Sequence, residues 1–533
     1  MTECTQDILE FESHCSRQVV ARFDGGTLTS DAGALLLRET DRLLERLAAC
    51  FDDHRDPSLV RHPVQEMVAQ RVYALALGYE DLNDRDELRQ DPLLALLSGK
   101  REPGKAPVAG KSTLNRLQRS GESPSRYKKI HCRQESVDAL LVEVFLEAHE
   151  ETPDCIVLDL DVTDLHLHGH QEGRFVHGYH DEYCYLPLYI FSGEHLLCAR
   201  RRTADQDAAA GSTDQVKRIV GPIRGRWPGV PIVVRADSGF CREELMEWCE
   251  QHGVGYVLGL ARNERLRKSI AAQMEEAARR QQASGRPARV FTEFAYQTTT
   301  GSWRRARRVV AKAEQLDGKE NPRFVVTNLG ADEWPAQRLY EELYCARGEM
   351  ENRIKEQLSL LADRVSAETM KANQLRLSLA GCAYVLVQVL RRLGRKGTEM
   401  ARAQAATIRD RLLKIGARIR ISVRRIWLSM PSGYPWQGLF RQAGRNCAAE
   451  GEGVRAGLFD KRQSRCDFDR FRAELWSKNA SASRDRPIKR HFRPGKRAAA
   501  TSRSGNTAPD FDLKSDPPTA SERSSEGGVR NGG

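Results

Sequence analysis

The ten residues from Cys155 to Asp164 read CIVLDLDVTD. A continuous apolar run of this kind is typical of a strand buried on both faces. Yet it carries Asp159 and Asp161, which share one face because side chains alternate along a strand, and Asp164 follows just beyond. Carboxylates inside an apolar strand are costly unless they are paired or bind metal. Either these are solvated acids at a strand end, or they belong to a built acidic site.

The flanking sequence extends the pattern. YCYLPLYIF and HLLCARRR, around a Ser192-Gly193 turn, read as two further strands forming a hairpin. A helical stretch, STDQVKRIVGPIRGRW, follows, with Pro222 a point where it can kink. Then come the strand PIVVRAD, the helix REELMEWCEQHG and the strand GVGYVLGLA, so the order is β-β-β-α-β-α-β. Asp237 repeats the design of the first strand, an acid at the carboxyl end of an apolar run before a Ser238-Gly239 turn.

A third candidate lies in a helix expected from about Pro335 to Ala362. Tyr344, Arg347, Glu351 and Lys355 stand at offsets of 3, 4 and 4, on one narrow helical face. Such a ladder also occurs as a merely solvated face, where each pair adds a few tenths of a kcal/mol. In a β-β-β-α-β fold with a central first strand, however, the first and fourth strands are neighbours and a later helix crosses beside them. Asp161, Asp237 and Glu351 then converge. Three carboxylates of this kind can hold two metal ions about 3.5–4 Å apart for in-line phosphoryl transfer. Hard oxygen ligands point to Mg²⁺, with Mn²⁺ as a substitute. Asp159 is the alternative first ligand.

The rest of the 533-residue chain divides by composition. Residues 1–27 form an N-terminal extension, and 28–150 carry helical signals, LTSDAGALLLRETDRLLERL with Ser30 or Asp31 as N-cap and then HPVQEMVAQRVYALALGYEDLNDRDEL. The sheet core begins at 151–262. Residues 263–333 read as an Arg-rich helix and a β insertion, 334–366 as the Glu351 helix completing the core, and 367–446 as a C-terminal helical region. From 447 to 533 the Arg-, Ser-, Gly- and Pro-rich sequence is that of a disordered basic tail.

Bulk properties narrow the partner and the compartment. A net charge of +11, from 84 Lys and Arg against 73 Asp and Glu, favours a polyanion, because Arg forks phosphate oxygens and its binding releases counterions. Thirteen cysteines without a C-x-x-C pair read as reduced, cytosolic thiols. MTECTQDILEF lacks the pattern of a secretory signal, and the most apolar stretch, Leu377 to Leu390, is too short for a bilayer span. No membrane partner is expected.

Two other motifs compete. VAGKSTLNRL contains Gly-Lys-Ser-Thr, but Gly104 lies six positions before Gly110, one more than a P-loop needs, and no buried strand leads into it. Lys111 and Arg116 instead suit the basic face of a capped helix near DNA phosphates. His166, His168, His170, His177 and His180 include the His-hydrophobe-His pattern of single-strand nucleases with a Tyr nucleophile, which is the runner-up chemistry. A DNA-binding protein without catalysis, its acids merely structural, is a further alternative.

The stretches LDLDVTDLHLHGHQEGRFVHGYHDEYCYLPLYIF, RADSGF and YCARGEMENRIKE resemble bacterial insertion-sequence transposases with a Tyr-Arg-Glu-Lys signature, the insertion-sequence family thirteen-eighty, from about Phe23 to Trp436. The resemblance implies a DDE enzyme of α/β fold, with a ribonuclease H-like mixed sheet and a β-rich insertion before the catalytic Glu. It implies two-metal cleavage and strand transfer at terminal inverted repeats, on double-stranded element and target DNA, by a homodimer acting in the bacterial cytoplasm and nucleoid. Carried over by position, Asp161, Asp237 and Glu351 are the metal ligands, and Tyr344 and Arg347 touch DNA phosphates. The signature Lys belongs seven residues after the Glu, where this chain has Leu358; Lys355 stands one turn earlier and Arg353 nearby. Relatives stack a Trp of the insertion on a flipped base. Trp303, beside Arg304 and Arg305, is the candidate, or else it packs the insertion's own core.

Overall fold

The computed structural model describes residues 8–80, 88–119, 128–178, 181–299, 302–394, 398, 400 and 402–460. Three helices of the N-terminal part matter here: α1 (Val64–Ala76), α2 (Lys111–Gln118) and α3 (Gln134–Glu147). The helical run expected from Leu28 is broken up. Leu28–Thr29 is a short strand, and helices Leu35–Thr40 and Leu44–Ala48 part at Asp41. The Asp41 carboxylate accepts from the backbone N–H of Leu43 and Leu44, capping the second segment and ending the first.

The sheet follows from the sequence order. Its strands are β1 (Ile156–Val162), β2 (Leu188–Ser192), β3 (His195–Arg200), β4 (Ile232–Ala236), β5 (Gly255–Leu260), β6 (Ala288–Tyr296), β7 (Arg307–Leu316) and β8 (Arg323–Thr327), with Lys319–Glu320 paired to β7. Across the sheet the order is β3-β2-β1-β4-β5-β8-β7-β6. β4 runs parallel to both β1 and β5, and the other pairs are antiparallel. α4 (Ser212–Arg226) joins β3 to β4, and α5 (Glu243–Gln251) joins β4 to β5. Pro222 sits on the exposed side of α4 without ending it.

One face of this sheet, including Leu158, Leu160, Ile190, Val234 and Ala236, packs on Val216, Ile219 and Ile223 of α4 and Leu245, Met246 and Cys249 of α5. On the other face Val157, Val233, Val257 and Val325 meet Leu339, Tyr340 and Leu343. Tyr189 and Phe191 there join a helical core with Met350 and Ile354 of α7 (Gly348–Ser359). That core includes α8 (Met370–Gly394), long and apolar enough to cross a membrane but 83% buried over its most apolar window.

Four expectations are revised. The segments read as an inserted β subdomain extend the main sheet, because β8 pairs with β5 through Leu258↔Val326 and its neighbours; helix α6 (Ala271–Ser284) lies against β6 and β7. The single helix expected from Pro335 is composite: Ala336–Arg338 is α-helical, Leu339–Tyr344 π-helical and Cys345–Arg347 a 3₁₀ turn before α7. The C-terminal helical region contains a hairpin, β9 (Ala417–Ile421) and β10 (Ile426–Ser429), whose β-branched and aromatic residues, Ile419, Ile421, Ile426 and Trp427, suit strands. Finally, α9 (Gln437–Asp460) carries helix past Cys447; the tail from 461 lies outside the described residues.

Candidate active site

Register assembles the acidic face. In the parallel pair β1–β4, Asp159 stands beside Arg235 and Leu160 beside Ala236, so the next position brings Asp161 beside Asp237. Alternation puts Asp159 and Asp161 on one face and Leu158 and Leu160 in the apolar core on the other. On its other side Asp161 partners Tyr189 of β2.

The two strand acids have opposite surroundings. Asp159 is buried and both its oxygens accept from Arg235, Nε at 2.5 Å and Nη2 at 2.7 Å. Arg235 Nη1 donates to the carbonyl of Leu343 at 2.5 Å, tying the sheet to the π-helical segment. Asp159 is thus saturated by one guanidinium. Asp161 lies closer to the open end: its Oδ1 accepts from Val162 N–H, and its Oδ2 faces Arg347 Nη2 at 3.0 Å. Burial pushes its carboxyl up to about 6; Arg347 pulls downward, while Asp237 and then Glu351 add to the rise. A carboxyl raised in this way favours a neighbouring cation.

Asp237 caps the 3₁₀ turn Ser238–Phe240, accepting from Gly239 N–H at 2.9 Å, and its other oxygen lies 4.0 Å from Arg347 Nη2. The same guanidinium therefore lies between Asp161 and Asp237, as a cation held by two carboxylates. Glu351 sits exposed on the first turn of α7, near enough for its charge to act on Asp161. Among the described residues no group of three or more His, Cys, Asp or Glu side chains is close enough to hold a metal ion. The two aspartates fit a divalent ion in charge and donor type; Glu351 would complete the set only on approaching them.

Tyr344 packs beside Asp237. A Cβ on Gly259 of β5 would stand 2.7 Å from the Tyr344 hydroxyl and 2.8 Å from Ser238 N, so only glycine admits both. The π and 3₁₀ turns re-phase Tyr344 and Arg347 relative to Glu351, so the four residues do not follow one straight α-helical face. Lys355 is exposed on α7. Arg353 turns toward the interior and pairs with Glu356 at 3.1 Å, and Glu356 also binds Arg391 and accepts from Ala405 N–H.

The other sequence candidates lie elsewhere. Trp303 is 4% exposed, edge-on to Tyr296 at 5.8 Å and within the sheet's core, so its ring is not free to stack on a base. Its basic neighbours are neutralised: Arg304 by Glu247, Arg305 by Glu250, Arg307 by Glu243 and Glu250, and Arg308 by Glu293. Lys111 and Arg116 are exposed on α2, which starts at Gly110 after a loop rather than a strand. His166 is bracketed by Asp164 at 3.1 Å and Glu182 at 2.5 Å, with His168 and His170 exposed nearby. His180 lies outside the described residues.

Sequence reasoning missed Arg235, Gly259 and Glu356. A lone Arg inside PIVVRAD, opposite a strand with two acids, was the readable signal for the first. Gly259 and Glu356 depend on tertiary approach and left no local trace.

Residues 11–449 match the family model described as transposase DDE domain, group 1. Among solved structures, the chain is similar to the piggyBac transposase in a cryo-EM synaptic complex with hairpin DNA. That likeness has 10% sequence identity and a TM-score of 0.37, and covers 72% of this chain and 79% of that one. No curated protein matches.

Proposed function

We propose, from the premise that the chain belongs to the transposase DDE domain family, group 1, that it cuts and joins DNA at the terminal inverted repeats of an insertion sequence. The finer placement is in insertion-sequence family thirteen-eighty, moving its element by cut-and-paste in the bacterial cytoplasm. The strand order β3-β2-β1-β4-β5, with one parallel junction on each side of β4, supports a ribonuclease H-like core. The observation that carries the reading is the β1–β4 register, which sets Asp161 beside Asp237 under one shared guanidinium.

In this reading Asp161, Asp237 and Glu351 would hold Mg²⁺, or Mn²⁺, which supplies activation of the attacking oxygen and stabilisation of the leaving one. Asp159 is not a ligand here, since Arg235 occupies both its oxygens. Its role is to fix β1 against β4. Arg347, once released from the carboxylates, has a planar fork suited to a non-bridging phosphate oxygen. Tyr344 stands where its hydroxyl can border the same phosphate, and Lys355 remains available at the exposed rim. A homodimer would let two such sites act on two element ends and the target.

The test is nicking of labelled element ends in Mg²⁺. Wild type should nick, chelation by EDTA should abolish nicking, and Asp161→Asn and Asp237→Asn should each lose it while staying folded. Nicking that survives either substitution or EDTA would reject this reading.

A further inference from the structure

We propose that the hairpin β9–β10 is a DNA-binding surface that seats the backbone of duplex DNA, built from residues other than those of the acidic site. Its inner side is apolar: Ala417 and Ile419 are buried and Leu428 packs with them against the body of the protein. Alternation therefore turns Arg420 and its cross-strand partner Trp427 outward. The turn is closed by Ser422, whose hydroxyl donates to the Arg425 carbonyl and accepts from the Arg425 N–H, leaving Val423 at the tip fully exposed. Trp427 is 46% exposed, with the guanidinium carbons of Arg420 and Arg425 at 6.0 and 5.6 Å from its ring centre.

Charge identifies the occupant. Among the described residues no ion pair joins Arg420, Arg424 or Arg425 to a carboxylate, whereas Arg304, Arg305, Arg307 and Arg308 each face a glutamate. Three clustered guanidinium groups on a two-stranded ribbon repel one another unless a polyanion covers them. An exposed indole and valine between them add apolar contact that water does not reward. A two-stranded ribbon fits a DNA groove, and arginines along it reach flanking phosphates. The inference rests on the transposase reading only for the identity of the polyanion.

Fluorescence anisotropy of the full chain with a labelled duplex of arbitrary sequence, titrated with KCl in EDTA, tests it without cleavage. Each phosphate contact contributes about 0.9 to the slope of log affinity against log salt, so R420A/R424A/R425A should reduce the slope by about 2.7. Between 50 and 200 mM salt that amounts to an affinity loss smaller by about 40-fold than in wild type. R420K/R424K/R425K should restore most of the slope, and Trp427→Ala should weaken binding with the slope unchanged. Wild-type affinity and slope in both the alanine triple variant and Trp427→Ala would overturn the proposal. Nicking that persists in Asp161→Asn alongside the reduced slope would defeat the transposase reading and leave the DNA surface standing.

Discussion

Removing the guanidinium that neutralises Asp159 should destabilise the centre of the sheet more than any change at Asp161, Asp237 or Glu351. In Arg235→Met the apolar stem is kept and the charge is lost. Asp159 is then left buried at 5% exposure without its counter-charge, and the Leu343 carbonyl loses the Arg235 hydrogen bond. Breaking a buried ion pair from one side costs about 3–5 kcal/mol, and the lost hydrogen bond to the Leu343 carbonyl adds about 1 kcal/mol. Asp159 responds by taking up a proton: burial already raises its carboxyl and Arg235 is the main force lowering it. The penalty should therefore grow with pH, because the unfolded chain ionises freely while the folded one resists. Urea unfolding at pH 5 and pH 8 measures this, with D159L/R235M as the companion. That double variant replaces both charges by apolar groups and should recover most of the loss, since buried pairs exchanged whole are often neutral. An Arg235→Met variant within about 1 kcal/mol of wild type at pH 8, or a double variant no more stable than the single one, would refute the assignment of Asp159 to a structural pair.

Three further outcomes are expected. Asp161 has a folded value of about 6 against an ordinary 3.8, so the folded state holds its proton more tightly; that advantage exists at acid pH and is lost as pH rises through about 6. Asp161→Asn should accordingly be more stable than wild type at pH 7.5 in EDTA, by at most about 3 kcal/mol, a shift in which the Arg347 attraction is already included, with the difference nearly vanishing near pH 4 in thermal melts. Gly259→Ala should push Tyr344 and the Asp237–Ser238 backbone apart, costing about 1–3 kcal/mol and lowering nicking even where the protein remains folded. Trp303→Ala should destabilise by about 3–5 kcal/mol in chemical unfolding, whereas a purely base-stacking Trp would leave stability unchanged.

Much of the sheet was legible because its strands are short apolar runs with turn residues between them, and their order fixes which can be parallel neighbours. Asp161 and Asp237 were visible as acids at strand ends, where burial makes a carboxylate conspicuous. The helix bearing Glu351 was legible as a helix but not in its phase. Nothing in LYEELYCAR marks a π turn; its register answers to Arg235 reaching the Leu343 carbonyl and to Tyr344 fitting over Gly259, both contacts from distant strands. The β9–β10 hairpin was hidden because ARIRISVRRIWLS carries so many arginines that its two-residue period reads as a charged helix end. The arginines after Trp303 misled in the opposite direction: Glu243, Glu247 and Glu250, the partners of Arg304, Arg305 and Arg307, repeat along one side of α5, about 60 residues upstream.

The acids of DLD show how register, rather than residue type, divides labour. Asp159 and Asp161 have the same chemistry, the same strand and the same face. What separates them first is the parallel neighbour at each level: Arg235 at the first and, after Ala236, Asp237 at the second. At the inner level a positive group meets a negative one in a buried setting, and the pair closes on itself. At the outer level two negative groups meet with one borrowed guanidinium between them, and that guanidinium comes from a helix joined to the sheet through Arg235. A one-residue slip of β4 against β1 would turn Arg235 and Asp237 to the opposite, apolar face and leave Asp159 without its counter-charge, so the inner ion pair favours the register that sets the outer acids side by side. Exchanging the two levels by Arg235→Asp with Asp237→Arg should therefore abolish the acidic site even if the sheet still forms, because no pair of like charges would remain at its open end.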